Sequence, residues 1–240
     1  MAFQTIFKRY ELKYMLTENQ KEAVLQAMEP YMTLDQYGRT TIRNIYFDTD
    51  NYRLIRHSIE SPAYKEKLRI RSYSQAEPES TVFVELKRKY QKLIYKRRIA
   101  LPEKEATEWL SGKRHCQKNS QISAEIDYFL RYYEVLGPMV FLSYDREAFY
   151  SKDHPDFRVT FDDTILCRQK DLSLESEVYG FPILPEGITL MEIKCSSGIP
   201  MWMASVLSEH QIYKTSFSKY GTAYRTLIYP RLRKEATYRV

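Results

Sequence analysis

Five apolar, strand-like runs of this chain carry a charge at every second position. They are Glu11 and Lys13 in YELKY, Arg69 and Arg71 in KLRIRSY, Glu85 and Lys87 in VFVELK, Lys96 and Arg98 in IYKRRI, and Glu192 and Lys194 in LMEIK. Successive side chains of a strand point to opposite faces, so each charged pair shares a face while Leu12, Ile70, Leu86 and Ile193 fill the other. Paired strands of this kind have one apolar face for a core and one densely charged face. Ten cations are assigned to that face: Lys13, Arg69, Arg71, Lys87, Lys96, Arg98, Arg146, Arg158, Lys194 and Lys219, against three carboxylates, Glu11, Glu85 and Glu192. A surplus of seven positive charges cannot be buried dry, because like charges at moderate dielectric repel by several kcal/mol. The pattern therefore predicts an open, water- or polyanion-filled tunnel rather than a packed barrel.

The plain alternative is the wet face of a half-exposed sheet, where charged pairs are common. Five pairs in one chain, mostly basic and repeating Arg-x-Arg and Lys-x-Arg, fit that alternative poorly. Guanidinium forks donating several hydrogen bonds in one plane suit phosphate oxygens better. The formal charge of +6 also favours an anionic partner. With 240 residues and 43% hydrophobic composition, the chain can build a real core.

Strands are predicted at 7–15, 41–49, 64–74, 80–90 and 92–101, the last two joined by a tight Gln91-Lys92 turn. Further strands are read in MVFLSYDREAFYS, FRVTFDDTI and TLMEIKCS, with 169–187 a polar loop region. Helices are predicted at 17–29, capped by Thr17 with Gln20, after Pro102 in EKEATEWL, at 121–136 stopped by Gly137-Pro138, and in IPMWMASVLSEH and SKYGTAYRTLI. NYRLIRHS reads as a short helix or turn, Asp162-Asp163 as a turn, and the basic segment from about 230 as a solvated tail. No linker or repeat divides the chain, which reads as one α+β domain over 1–240.

Several chemistries are excluded by what is missing. Seven glycines form no phosphate-cradling loop, so any phosphate site is built from Lys and Arg side chains. His57, His115, His154 and His210 have no zinc-ligand spacing, which leaves carboxylates and hard ions such as Mg²⁺ or Mn²⁺. Cys116, Cys167 and Cys195 suggest no disulfide framework, and the expected setting is the cytoplasm. Trp109, Trp202, Met201 and Met203 are read as packing residues, and Cys195 as a small buried hydrophobe.

In these residues the chain resembles the catalytic domain of the vacuolar transporter chaperone (VTC) polyphosphate polymerases in its prokaryotic form, within the triphosphate tunnel metalloenzymes. The order and spacing of RYELKY, IRNIYFDT, KLRIRSY, VFVELKRK, YKRRI, YDREAF, FRVTFD, MEIK and FSKY carry the likeness. The resemblance implies an eight-stranded antiparallel β-barrel, the triphosphate tunnel, with helices packed outside. It implies transfer of the γ-phosphate of ATP to a growing polyphosphate chain. Lys13, Arg69, Arg71, Lys87, Lys96, Arg98, Arg146, Arg158 and Lys219 would hold phosphates, with Lys194 a further wall residue. Glu192 would hold Mn²⁺ or Mg²⁺, and Glu11 and Glu85 would either join it or orient the basic residues. Arg9 stands where many relatives carry the first glutamate of an ExExK motif, a departure that favours transfer over hydrolysis. The rival readings are a tunnel-fold triphosphatase and a non-catalytic polyphosphate-binding module. ATP and polyphosphate or phosphate are the expected partners, with no specific nucleic acid. Any membrane link is expected through a partner protein.

Overall fold

The computed structural model describes residues 10–90, 93–196 and 198–237. Arg9 and the Gln91-Lys92 turn lie outside the described residues. In chain order the elements begin β1 (Tyr10–Leu16), α1 (Glu18–Met28), β2 (Met32–Leu34), β3 (Thr40–Asp48) and α2 (Arg53–Ile59). There follow β4 (Tyr64–Ser72), β5 (Thr81–Tyr90), β6 (Leu93–Pro102), α3 (Glu103–Leu110), α4 (Gln121–Tyr133), β7 (Gly137–Ser151), β8 (Arg158–Arg168) and β9 (Phe181–Pro182). The last are β10 (Thr189–Cys195), α5 (Met201–Glu209), β11 (Lys214–Thr215), α6 (Lys219–Ala223), a π-helical turn (Tyr224–Ile228) and α7 (Tyr229–Thr237).

The strands pair in the order β11-β1-β10-β8-β7-β3-β4-β5-β6, with β2 on β7 and β9 on β8, and every register described is antiparallel. The fold is antiparallel α+β, as the sequence predicts. The eight-stranded ring implied by the resemblance is not closed by hydrogen bonding among the described residues. The end strand β11 has two residues, paired with Lys13 and Tyr14, and offers almost no ladder to a further strand.

The chain forms two compact units. Among the described residues, one contains those of 10–41, 144–165 and 184–217, and the other those of 42–143, 166–183 and 218–237. In the first, the apolar alternates of β1, β8 and β10 (Tyr14, Leu16, Val159, Phe161, Met191, Ile193) pack with Val24 and Met28 of α1 and Met203 and Val206 of α5. In the second, Leu68, Ile70, Val84, Leu86 and Ile99 pack with Trp109 of α3 and Ile126 and Phe129 of α4. Burial of each such large side chain contributes about 1.5–3 kcal/mol.

Helix boundaries follow local chemistry. The Gln20 N–H donates to Thr17 Oγ1 at 3.4 Å and the Thr17 N–H to Gln20 Oε1 at 3.1 Å, so two orphan donors at the start of α1 are satisfied. Helix α4 ends at Tyr133, not 136, because Glu134 turns to φ 57°, and Gly137 opens β7 instead of stopping a helix. The basic segment beyond 230 is helical through Thr237 rather than a loose tail. The π-helical turn lies just before Pro230, whose missing N–H cannot close an ordinary i→i−4 bond. Asp162 and Asp163 lie inside β8, not in a turn. Met201 is exposed, whereas Trp109 and Met203 are buried as read, and Trp202 stacks on Tyr31 with ring centroids 4.7 Å apart.

Candidate functional site

In the second unit, strand registers sort the charges into cross-strand rows. Tyr46, Arg69, Glu85 and Arg98 form one row, and Lys67, Lys87 and Lys96 the next. Three lysines directly opposite one another repel, and nothing in strand pairing itself compensates for that. Across β4, β5 and β6 this face carries eight cations, Lys65, Lys67, Arg69, Arg71, Lys87, Lys89, Lys96 and Arg98, and one carboxylate, Glu85, a surplus of seven.

Glu85 organises the rows. Its side chain is 1% exposed and its carboxylate accepts from Arg69 Nε at 2.8 Å and Arg98 Nε at 2.7 Å, with Lys96 Nζ at 2.7 Å and Arg71 Nε at 3.9 Å. Burial alone would raise the Glu85 carboxyl. Arg69, Arg71 and Lys96 outweigh burial and hold it well below the usual carboxylate range. Burial pushes the Lys96 ammonium down to about 8, only partly offset by Glu85, with Arg98 and Arg69 adding repulsion.

Neutral neighbours fix the forks. Arg69 NH1 donates to Tyr46 Oη at 2.9 Å, Arg71 Nε to Asn44 Oδ1 at 2.9 Å, and Arg98 NH2 to Tyr73 Oη at 2.7 Å. Asn44 is held in turn by its Nδ2 donating to the Leu142 carbonyl at 3.0 Å. Burial would raise the Tyr73 phenol, but Arg71 and Arg98 bring it below its ordinary value. Lys67 Nζ donates to Ser218 Oγ, the N-cap of α6, at 3.1 Å, and Lys219 follows that cap, half-buried.

The first unit carries a more balanced set. Glu11 faces Lys194 across the β1–β10 ladder, Lys13 faces Glu192, and Lys194 faces Arg158 of β8. Lys13 Nζ lies 3.3 Å from Glu11 Oε1 and 3.3 Å from Glu192 Oε1, and donates to the Phe217 carbonyl at 2.9 Å. Glu192 Oε2 lies 3.7 Å from both Arg146 NH2 and Lys194 Nζ. Fully buried Asp162 accepts two bonds from Arg146, at 2.6 and 2.7 Å. Burial would lower Arg146, but Tyr144 and Asp162 keep it firmly charged. Burial lowers the Lys194 ammonium, with Arg146 adding repulsion, and Glu192 and Glu11 only partly restore it. Four cations meet three carboxylates here.

The donor chemistry fits a divalent cation in the first unit. Glu11 and Glu192 are drawn to a single ammonium, and a hard ion binds readily through one or two carboxylates completed by substrate phosphates. No cluster of three or more His, Cys, Asp or Glu side chains suited to a metal occurs among the described residues, so an ion held there would complete its shell with water or ligand oxygens. Glu85 stands in the other unit with its oxygens committed to cations, which suits it to orienting them rather than to holding metal.

Of the residues named from the sequence, Arg69, Arg71, Glu85, Lys87, Lys96 and Arg98 share one face of the second unit, with Lys219 near its edge. Glu11, Lys13, Arg146, Arg158, Glu192 and Lys194 belong to the first. Sequence reasoning missed Lys67 and Tyr73, although both lie in phase with Arg69 and Arg71. Asn44, Tyr46 and Asp162 carry no such signal, since a neutral or acidic strand residue reveals no partner before the register is known.

A VTC domain model matches residues 8–228. Among solved structures, a candidate adenylate cyclase of Bacillus halodurans superposes with a TM-score of 0.54 at 15% identity, covering 89% of this chain and 94% of that one. A Hippeastrum protein, described as a candidate adenylyl cyclase with a dominant triphosphatase activity, gives 0.54 at 16% identity, covering 90% and 94%. At such identities the likeness is one of fold. The comparison with curated proteins returns no match.

Proposed function

Because the chain belongs to the VTC domain family, we propose that it is an ATP-dependent polyphosphate polymerase, moving the nucleotide γ-phosphate onto the end of a growing polyphosphate chain. The observation that carries this reading is the lysine row Lys67–Lys87–Lys96 lying beside the Glu85-organised arginines. A self-repelling row of ammonium groups favours a bound polyanion, and fixed guanidinium forks favour one whose phosphates must be aligned.

Phosphoryl transfer asks the protein mainly for alignment and charge stabilisation. A terminal oxygen of the acceptor phosphate attacks the γ-phosphorus in line, the bond from that phosphorus to the β–γ bridging oxygen breaks, and ADP leaves. The attacking oxygen is already anionic, so no general base is needed. Arg69, Arg71 and Arg98 orient phosphate oxygens, and Lys67, Lys87, Lys96 and Lys219 neutralise the chain. Lys13, Arg146, Arg158 and Lys194 do the same in the first unit, where Glu192 with Glu11 would hold Mn²⁺ or Mg²⁺. When bound, the ion would neutralise charge on the triphosphate oxygens.

A second reading, hydrolysis of triphosphates, is favoured by the triphosphatase activity described for the Hippeastrum protein. Product analysis separates the readings. Incubation with ATP and Mn²⁺ or Mg²⁺ should give a polyphosphate ladder with stoichiometric ADP. Orthophosphate and ADP alone would establish the triphosphatase instead, and binding of polyphosphate without turnover a carrier module. No helix among the described residues is long and apolar enough to cross a membrane. A cytoplasmic setting, with any membrane link through a partner, belongs to the same proposal.

A further inference from the structure

A cavity of about 380 Å³ opens in the second unit between α2, α4 and the ends of β4 and β5. Its wall includes Arg53, His57, Lys65, Glu66 and Arg88, and the rings of Tyr128, Tyr132 and Tyr133. It is distinct from the charged rows. Tyr64, Glu66 and Arg88 have the strand parity of Leu68 and Leu86, the core side of the sheet, whereas Lys67, Arg69 and Lys87 have the opposite parity. Nothing in the proposed transfer reaction uses these groups.

Two properties of the wall define a ligand. The first is uncompensated positive charge. Glu66 is buried and already accepts from Tyr64 Oη at 2.6 Å, Tyr133 Oη at 2.7 Å and Arg88 Nε at 3.3 Å. Arg88 is further engaged by Glu125 at 3.1 Å. Arg53 stacks on Tyr133 at 5.4 Å and has no carboxylate partner among the described residues. Lys65 borders the cavity but has the parity of Lys67 and Arg69: its Nζ donates to the Ser58 carbonyl at 3.3 Å, and burial, with Lys89 and Lys87 on the same face, lowers its ammonium. The second property is aromatic surface held out of the core. Tyr128 and Tyr132, one helical turn apart on α4, are 60% and 57% exposed, with ring centroids 6.3 Å apart and planes 24° from parallel. Tyr133 closes the floor, edge-on to Tyr132 at 5.0 Å.

We propose that this cavity is a second ligand site, for a mononucleotide whose base stacks on the Tyr128–Tyr132 surface and whose phosphates meet Arg53. The volume lies at the low end of small-molecule sites, the scale of a mononucleotide rather than a dinucleotide. An inorganic phosphate chain would satisfy Arg53 but leave the rings unused. A neutral aromatic would do the reverse. The site is independent of whether the charged rows polymerise or hydrolyse.

ADP binding to the full chain tests this by calorimetry. In Arg69→Ala, which damages the charged rows on the other face, one ADP per chain should still bind. Adding Arg53→Ala and Tyr132→Ala should weaken that binding, the loss of stacking alone by about tenfold or more. Tyr132→Phe, which keeps the ring, should retain it. Pyrophosphate should compete more weakly than ADP. The proposal is overturned if Arg69→Ala binds no ADP, if the Arg53 and Tyr132 changes leave affinity untouched, or if pyrophosphate binds as tightly as ADP. Arg53 and Tyr132 are exposed, so these variants should melt like the wild type, and their turnover on ATP should be unchanged.

Discussion

Glu85 is the residue whose loss would say most about this protein. Replacing it by Gln keeps the shape and removes one charge from the centre of Arg69, Arg71, Lys96 and Arg98. Breaking one side of a buried ion cluster commonly costs about 3–5 kcal/mol. Here the lower end applies, because the Lys96 and Arg98 side chains are 43% and 34% exposed and can recover water. A loss of about 3 kcal/mol corresponds to a Tm lower by roughly 6–12 °C for a chain of this size. The assay is thermal and urea unfolding with and without tripolyphosphate at constant ionic strength. A polyanion restores the missing charge, so at one fixed concentration it should stabilise Glu85→Gln more than the wild type; at 100 times a protein's own Kd the stabilisation is roughly 2.7 kcal/mol. Acid adds a second readout. The Glu85 carboxyl is depressed in the fold, so its contribution is complete above the ordinary carboxylate range. As pH falls through that range the unfolded chain takes up the proton first, and the contribution declines by about 1.4 kcal/mol per pH unit. The stability gap between wild type and variant should therefore narrow in acid. Equal melting temperatures, or equal responses to tripolyphosphate, would refute the view that Glu85 holds a repelling cationic face together.

Lys96, at about 8 in the fold against 10.5 for free lysine, loses its charge just above neutrality. Tripolyphosphate affinity should fall as pH rises through 8. The group's contribution to stability should rise between 8 and 10.5, since only the unfolded chain still binds the proton there. Lys96→Arg should flatten the binding profile, and identical profiles for the two proteins would count against the assignment. Glu192→Gln should raise the Mn²⁺ concentration needed for half-maximal turnover by about 10–100-fold, read by metal titration. Asp162→Asn leaves the buried Arg146 fork without its paired carboxylate. It should cost about 3–5 kcal/mol in urea unfolding, and an unchanged midpoint would mean that Glu192 alone suffices for Arg146.

Much of the strand architecture was legible because alternation is a local signal. Charges at Arg69 and Arg71 with Leu68 and Ile70 between them have one low-energy arrangement beside a core. The Thr17–Gln20 cap was equally local. Elements that depend on a distant partner were not legible. β2 and β11 have three and two residues, too few to show a period, and exist because β7 and β1 offer them hydrogen bonds. The same holds for Asp162, which with Asp163 reads as a turn at a strand end. Its burial is acceptable only because Arg146 stands across the ladder. The role of Glu85 was ambiguous for this reason. A glutamate between cations and a glutamate beside a metal look identical in sequence, and only the register with Arg69 and Arg98 distinguishes their surroundings.

The 21 tyrosines belong to the same logic. Each arginine assigned to phosphate lies over an aromatic ring of its own unit. Arg69 is 5.7 Å from the Tyr46 centroid, Arg71 5.9 Å from Tyr73, and Arg98 4.0 Å from Phe83. Arg146 is 5.1 Å from Tyr144 and Arg158 5.2 Å from Tyr150. A ring face holds a guanidinium without cancelling its charge, although Arg69 also spends one N–H on the Tyr46 hydroxyl. A carboxylate does the opposite, since it competes for the N–H donors that a phosphate would use while cancelling the charge. A charged sheet face could be ordered by carboxylates alone, but pairing every arginine would abolish its attraction for anions. Rings order the cations without neutralising them, and Glu85 supplies only enough negative charge to keep the rows from flying apart. Lysine cannot replace these arginines on equal terms, because an ammonium on a flexible stem presents no planar fork to align. Lys67, Lys87 and Lys96 instead supply charge that can follow a ligand. Fixed forks beside adjustable ammonium groups suit a phosphate chain that must be gripped at one phosphorus and allowed to shift at the others.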